Sequence, residues 1–251
     1  MMNLPNNSTD SPIRRLGIIG DVHAEHHRLA AALRVLRHRG VDAIVCTGDI
    51  VDGVGCPNQS VALLEKSGVQ VVRGNHDRWI LESKARHIPN AHQLADLSPA
   101  TRDYLESLPV QLEIQTPGGP LLLCHGIANN DLKKVWPGTA RMATEKCTTL
   151  DAIIETGDFS LMINGHMHFR TMMHFETLTL INAGTLKGTN WPGFSLIDFD
   201  VQRISAFEFL PSGVEHTRSL PLGPPENRVV WRNTQCFTGN WEPVRLFDTR
   251  T

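Results

Sequence analysis

Residues 15–53 read RLGIIGDVHAEHHRLAAALRVLRHRGVDAIVCTGDIVDG, and the alternation within them decides the fold. Leu16–Ile19 is a short, largely apolar run closed by Gly20 and Asp21, the length of a strand buried on both faces. His27–His38 then places Leu29, Ala32, Leu33 and Leu36 at helical spacing, with Gly40 as the stop. Asp42–Thr47 is a second apolar run, closed again by a Gly-Asp pair, Gly48 and Asp49. Strand, amphipathic helix and strand in succession form a βαβ unit, which implies parallel strands covered by helices.

The same alternation continues outward. Asn58–Lys66 reads as a second helix and Val69–Arg73 as a third strand, so three strand ends arrive in order, each followed by polar residues. Ser98 and Pro99 supply an N-cap and first helical position for a helix to Ser107. The second half is richer in strands: Val110–Ile114 and Leu121–Cys124 around the turn TPGG, then, after a helix at Thr149–Glu155, Leu161–Asn164, Thr171–Phe175, Thr177–Asn182, Gly193–Asp198 and Arg203–Phe209. From Pro211 the chain, including PLGPPEN, reads as loop, with Val229–Trp231 and Val244–Phe247 as short edge strands or a packed arm. The expected organisation is a flexible tail over residues 1–12, one α/β domain over 13–210, and an extension over 211–251 packing on that domain.

At 251 residues, 41% hydrophobic and 20% charged, the chain suits one soluble α/β domain with a substantial core. A formal charge of −2 gives no polycationic field, which argues against tight nonspecific binding to nucleic acid or an anionic membrane. The five cysteines are odd in number and contain no C-x-x-C pair, so neither a disulfide framework nor a thiolate zinc site is indicated, and a reducing cytoplasm is the default expectation. No stretch reaches the eighteen or so apolar residues of a membrane span.

Chemistry concentrates at the strand ends, where open α/β sheets bind their ligands. GDVH gives Asp21 and His23, GDIVDG gives Asp49, GNHD gives Asn75, His76 and Asp77, CHG gives His125, and GHMH gives His166 and His168. Each alone is weak, since an Asp after Gly is usually a turn residue and a lone His is usually hydrogen-bonded or solvated. Together they offer carboxylate, amide and imidazole donors beside glycines that let the backbone turn tightly. That donor mixture suits manganese, iron, zinc, cobalt or nickel better than calcium.

With these five ordered motifs, D-x-H, GD, GN-H-D, H and GH-x-H, residues 16–184 resemble the calcineurin-like metallophosphoesterase superfamily. The resemblance implies a four-layer αββα sandwich of two mixed sheets flanked by helices. It implies two divalent metal ions, the first held by Asp21, His23, Asp49 and His168, the second by Asp49, Asn75, His125 and His166, with Asp49 bridging. It further implies a metal-bridging hydroxide as nucleophile, and His76 as the group that binds phosphate and protonates the leaving oxygen, oriented by Asp77. Arg78, beside GNHD, is a candidate phosphate grip together with Asn75, and Arg73 is a weaker one.

Departures from the family pattern narrow the substrate. Gly53 stands where protein phosphatases and the diadenosine tetraphosphate hydrolases similar to them have a phosphate-gripping Arg, and Asp77 stands in place of Glu. The chain looks more like the small bacterial phosphodiesterase and phosphatase branch, although Ala24 and Glu25 replace the Gly-Asn often found after D-x-H there. A small phosphate ester, including a nucleotide, is the expected partner; self-association through the segment after Pro211 stays open. A scaffold on the same fold, like the retromer subunit that resembles these enzymes, and a nuclease are the competing readings. The scaffold has no need of His76, and the nuclease lacks a DNA-binding appendage. His26, His27, His87 and His92 read as solvated histidines more readily than as cleft residues. Lys133, Lys134 and Trp136 read as a loop anchor or as substrate wall, and Cys46 and Cys124 as small buried hydrophobes.

Overall fold

The opening βαβ unit is present in the computed structural model, which describes residues 12–224, 226 and 228–248. β1 (Arg15–Ile19) pairs in parallel with β2 (Ala43–Cys46), Leu16 opposite Ala43 and Ile19 opposite Cys46. α1 (His26–His38) spans the connection and buries Leu29, Ala32, Leu33 and Leu36, the spacing read from the sequence. α2 (Pro57–Lys66) leads to β3 (Gln70–Val71), which is trimmed to two residues because its register with β2 covers only Val45 and Cys46. The GNHD segment opens α3 (Asn75–Leu81), and α4 (Pro99–Ser107) begins where Ser98 accepts a hydrogen bond from the Thr101 N–H. Residues 1–11, most of the expected flexible tail, lie outside the described residues.

Two mixed sheets result. β4 (Gln111–Thr116), β5 (Gly119–Cys124), β6 (Leu161–Asn164), β7 (Arg170–Phe175) and β8 (Thr179–Ala183) build the second, with α5 (Thr148–Thr156) on its outer face. β9 (Gly193–Asp198), β10 (Arg203–Leu210) and β11 (Gly213–Pro221) return to the first. β12 (Val230–Trp231) and β13 (Val244–Arg245) pair with β7, as edge strands should. The strand orders are β11-β10-β9-β1-β2-β3 and β12-β7-β8-β6-β5-β4.

The layers follow from strand alternation. Leu16, Ile18 and Val45 of the first sheet meet Leu121, Leu123, Ile163 and Ile181 of the second in an apolar middle layer. Ile19, Ile44 and Cys46 point the other way, onto the leucines of α1 and α2. On the far side, Leu122, Met162 and Leu180 pack against α5 and an aromatic cluster of Trp136, Trp231, Phe237 and Trp241. This is the expected αββα sandwich of two mixed sheets, with the fourth layer completed by aromatics from the C-terminal segment.

The loop expected from Pro211 is corrected. Gly213–Pro221 is a nine-residue strand hairpinned onto β10, with Leu210 opposite Gly213 and a register shift at Ala206 and Phe207. Its sequence is polar because it is an edge strand with much of its side-chain surface in solvent, a setting that lacks clear apolar alternation. Of the PLGPPEN segment that follows, Pro225 and Asn227 lie outside the described residues. Among the described residues no helix is long and apolar enough to cross a membrane.

Candidate metal centre

Every motif sits at the carboxyl end of a strand. Asp21 and His23 follow β1, Asp49 follows β2, Asn75 starts α3 after β3, His125 follows β5, and His166 and His168 follow β6. Four of these residues hold the left-handed backbone that non-glycine residues avoid: His23 at φ 47°, Asp49 at 45°, His166 at 65° and His168 at 58°. Each costs of order 1 kcal/mol or more and persists because the surroundings impose it, a pattern found where side chains are aimed for function. Glycine makes the close approach feasible: a Cβ on Gly74 would collide with Asp49 Oδ1, and one on Gly165 with Asp21 Oδ1.

The side chains converge in two overlapping sets. Donor atoms of Asp21, His23, Asp49 and His168 all lie within 4.8 Å of one another, as do those of Asp49, His125 and His166. Asp49 belongs to both. His23 Nε2 is 3.1 Å from His168 Nε2, which is 3.2 Å from Asp21 Oδ2. On the other side His125 Nε2 is 3.3 Å from Asp49 Oδ2 and 3.0 Å from Asn75 Oδ1.

The tautomers test whether a cation fits. His23 Nδ1 lies 2.8 Å from the Asp52 carbonyl and His125 Nδ1 lies 2.7 Å from the Thr47 carbonyl. A carbonyl only accepts, so Nδ1 keeps a proton in both rings and Nε2 is the nitrogen that faces the cluster and ligates once it carries no hydrogen, as in metal-bound histidines. Two imidazole nitrogens 3.1 Å apart, with buried carboxylates beside them, suit a positive charge held between them. The oxygen and imidazole set fits a borderline divalent ion.

Electrostatics divide the rings: two are neutral, and the third carries the positive charge that a cation would replace. Burial pulls His23 down to about 4 and His166 to about 4, leaving both rings neutral, the form that ligates. Burial opposes charge on His125 as well, but Asp49 and Asp21 outweigh it and push that ring up to about 10. Desolvation would raise Asp49 and Asp21, yet His125 and the neighbouring imidazoles hold both carboxyls below their ordinary range.

His76 stands beside the cluster. Its ring centroid is 4.8 Å from that of His23, and its Nε2 is 3.9 Å from Asp49 Oδ2. The expectation that Asp77 orients it is corrected: His76 Nδ1 pairs with Asp52 Oδ2 at 2.7 Å. Asp77 is the third residue of α3, so its carboxylate turns back to cap the helix, accepting from the Gly74 N–H at 3.0 Å and also from Ile50 N at 2.7 Å and Val51 N at 3.2 Å. Burial and the Asp49 carboxylate push Asp77 up to about 7. For His76, the Asp52 hydrogen bond and the Asp49 charge prevail over burial and raise the ring above its ordinary value.

Arg86 is the residue that sequence reasoning missed. Its guanidinium takes Asp52 with both forks, Nη1 to Oδ1 at 2.8 Å and Nη2 to Oδ2 at 2.9 Å, while Asp52 Oδ1 also accepts from the His92 N–H at 2.9 Å. Asp52 is visible in GDIVDG; Arg86 lies in the loop after α3, which carries no motif. Arg78, expected to grip substrate, is engaged elsewhere: Nε and Nη2 bind Asp131 at 2.7 and 2.9 Å, and Nη1 binds Glu82 at 3.2 Å. His92 joins the scaffold by accepting from the Asp52 N–H, and His26 does the same for Cys56 N. Trp136 is buried as a loop anchor, and burial pushes the Cys124 thiol up to about 12, as befits an inert core cysteine.

Residues 15–202 match the calcineurin-like phosphoesterase superfamily domain. An uncharacterised protein of Methanocaldococcus jannaschii is 25% identical over 178 residues, covering 68% of this chain and 69% of that protein. Among solved structures, a metallophosphoesterase of Sphaerobacter thermophilus aligns over 83% of this chain and 89% of its own at 23% identity, with a TM-score of 0.58. A hypothetical protein of Pyrococcus horikoshii covers 77% and 87% at 16% identity, with a TM-score of 0.63. These two likenesses establish a shared fold. Because the domain match takes in most of the chain and contains all five motifs, the chain belongs to the calcineurin-like phosphoesterase superfamily.

Proposed function

We propose that this protein hydrolyses esters of phosphate at a pair of divalent cations, the first held by Asp21, His23, Asp49 and His168 and the second by Asp49, Asn75, His125 and His166. The observation that carries the reading is Asp49, whose carboxylate belongs to both donor sets, with the non-ligating His76 held next to it by Asp52. When bound, such a pair supplies Lewis acidity to the phosphoryl oxygens and lowers the pKa of water.

The chain's own residues do the rest. Left-handed backbone at His23, Asp49, His166 and His168 fixes the donors before substrate arrives, so little reorganisation remains. His76 Nδ1 gives its hydrogen to Asp52, which leaves Nε2 toward the cleft as the atom that donates to phosphate and delivers a proton to the departing alkoxide. The Asp52 charge favours the protonated ring that this task requires.

The test is a metal-stripped protein reloaded with manganese and assayed on bis(p-nitrophenyl) phosphate, p-nitrophenyl phosphate and an alkyl phosphate ester. Two manganese ions per chain and turnover of at least one ester are expected. Asp49→Asn should lose both ions, and His76→Ala should keep both while losing turnover of an alkyl ester. A fully loaded protein inert toward every ester offered would favour the scaffold reading.

A further inference from the structure

A cavity of about 320 Å³ opens beside His166, lined by Lys134, Met142, Ala143, Glu145, His166 and Met167. Its wall is a built arm. Trp136 and Glu145 exchange both backbone hydrogen bonds, at 3.0 and 2.8 Å, closing the segment into a hairpin, and Thr139 N donates to the Met142 carbonyl at 2.8 Å across its tip. Trp136 anchors the arm by packing its ring 5.1 Å from Trp241 and 6.1 Å from Phe169. Met142 and Met167 are half-buried against that aromatic core.

The position of the cavity relative to His76 carries the inference, which rests on the reading of the site given above. His76 lies against His23, at 4.8 Å between ring centroids, whereas His166 lies against His125 at 5.3 Å. The proton donor and the cavity therefore flank different donor sets, with Asp49 between them. On that reading a phosphate held by the cations around Asp49 would send its leaving oxygen toward His76, and a substituent reaching the cavity would be a second one that stays on phosphorus. A monoester has no such group.

We propose that the cavity binds the retained substituent of a phosphodiester and that this substituent is a nucleoside. Thioethers of Met142 and Met167 offer a polarisable surface for a flat ring. Lys134 supplies a donor and Glu145 an acceptor at the same wall, a pairing that a nucleobase edge with its carbonyl and N–H satisfies and that an alkyl group leaves unmet. The volume lies at the small end for ligand pockets and suits one such group. In the reaction the water oxygen forms the new P–O bond and gives up a proton to solvent. The bond to the leaving oxygen breaks with its electron pair, His76 protonates that oxygen, and a nucleoside monophosphate remains.

The experiment compares thymidine 5′-(p-nitrophenyl phosphate) with methyl p-nitrophenyl phosphate on the manganese-loaded protein. The leaving group is common to both, so their ratio of kcat/KM reports the retained substituent alone. A ratio of about 10 or more is expected, falling toward 1 in Met142→Asp through a higher KM for the thymidine ester. A ratio near 1 in the unmodified protein, or one that Met142→Asp leaves in place, overturns the proposal. Should neither ester turn over, the hydrolytic reading fails while the subsite is still decided by calorimetry. Thymidine 5′-monophosphate binding weakened at least about 5-fold by Met142→Asp supports it, and unchanged or absent binding refutes it.

Discussion

His76 Nδ1 lies 2.7 Å from Asp52 Oδ2, joining a ring at the mouth of the cleft to a carboxylate with no exposed surface. The pairing fixes the tautomer and the direction in which Nε2 points. Asp52→Asn keeps the shape and removes the charge, so protonation of a poor leaving group should suffer most. We expect kcat to fall roughly 10- to 100-fold on an alkyl ester and far less on a p-nitrophenyl ester, whose phenolate departs without a proton. Manganese stoichiometry should stay at the unmodified value; equal losses on both esters would rule out a role through His76.

Arg86 holds the other side of the same carboxylate, and its guanidinium also donates to the Lys84 and His92 carbonyls at 2.7 Å each. Removing it strands Asp52 without its strongest partner. Arg86→Ala should destabilise the fold by about 2–4 kcal/mol in urea unfolding, with Arg86→Lys recovering only part because an ammonium cannot take both oxygens in a planar fork. Full recovery by lysine would show that charge alone matters and geometry does not.

These two residues mark the limit of what the sequence discloses. Asp21, His23, Asp49, Asn75, His125, His166 and His168 were legible because each follows a recognisable strand within a short motif that contains a glycine, so local pattern and site coincide. Arg86 was not, since its role depends on a loop folding back across 34 residues to Asp52. Asp77 departs from the role the resemblance implies for a related reason: it follows His76 in the chain, but neighbours in a helix point apart. Arg170 was invisible as well. It lies in β7, fully buried, and its Nη1 donates to the Phe194 and Phe207 carbonyls at 3.2 and 3.1 Å, tying the two sheets together in a way no periodicity announces.

Asn182 makes a second prediction about positioning. Its amide donates to Asn164 Oδ1 at 3.1 Å and to the Gly165 carbonyl at 2.6 Å, and Asn164 in turn donates to the Gly126 carbonyl at 3.1 Å. The network thus fastens the turn carrying His166 to the turn carrying His125. Asn182→Leu should weaken manganese binding about 10-fold or more in calorimetry, with far-UV circular dichroism unchanged. Unaltered affinity would show that the strained turns need no such tether.

Metal removal should be read in stability as much as in activity. Asp21 and Asp49 are buried within one cluster, and a cation relieves their mutual repulsion. With free manganese at about 100 times its Kd, linkage gives about 2.7 kcal/mol for each site, about 5.4 kcal/mol for the pair, and a rise in Tm of roughly 10–20 °C, reversed by chelator. Asp49→Asn should abolish most of that rise; a full rise in the variant would place the binding elsewhere.

His174 supplies a pH dependence separate from the metal cluster. It lies in β7, 1% exposed, with Nδ1 3.3 Å from Thr179 Oγ1 and no partner for Nε2 among the described residues. Burial pulls the ring down to about 4, against an ordinary value of 6.5. Between those two values the unfolded chain binds the proton and the folded chain does not, so stability is complete above pH 6.5 and drains away as pH falls toward 4. From neutrality to pH 4.5 the loss assignable to this one ring is about 2 kcal/mol. His23 and His166 titrate in the same window, so the measurement is a difference: urea unfolding of metal-free protein at both pH values, for the unmodified chain and for His174→Gln. The variant should lose about 2 kcal/mol less on acidification than the unmodified chain. Identical losses would mean that a proton reaches His174 in the folded state at little cost, which a ring sealed between strands with an unpaired nitrogen does not allow.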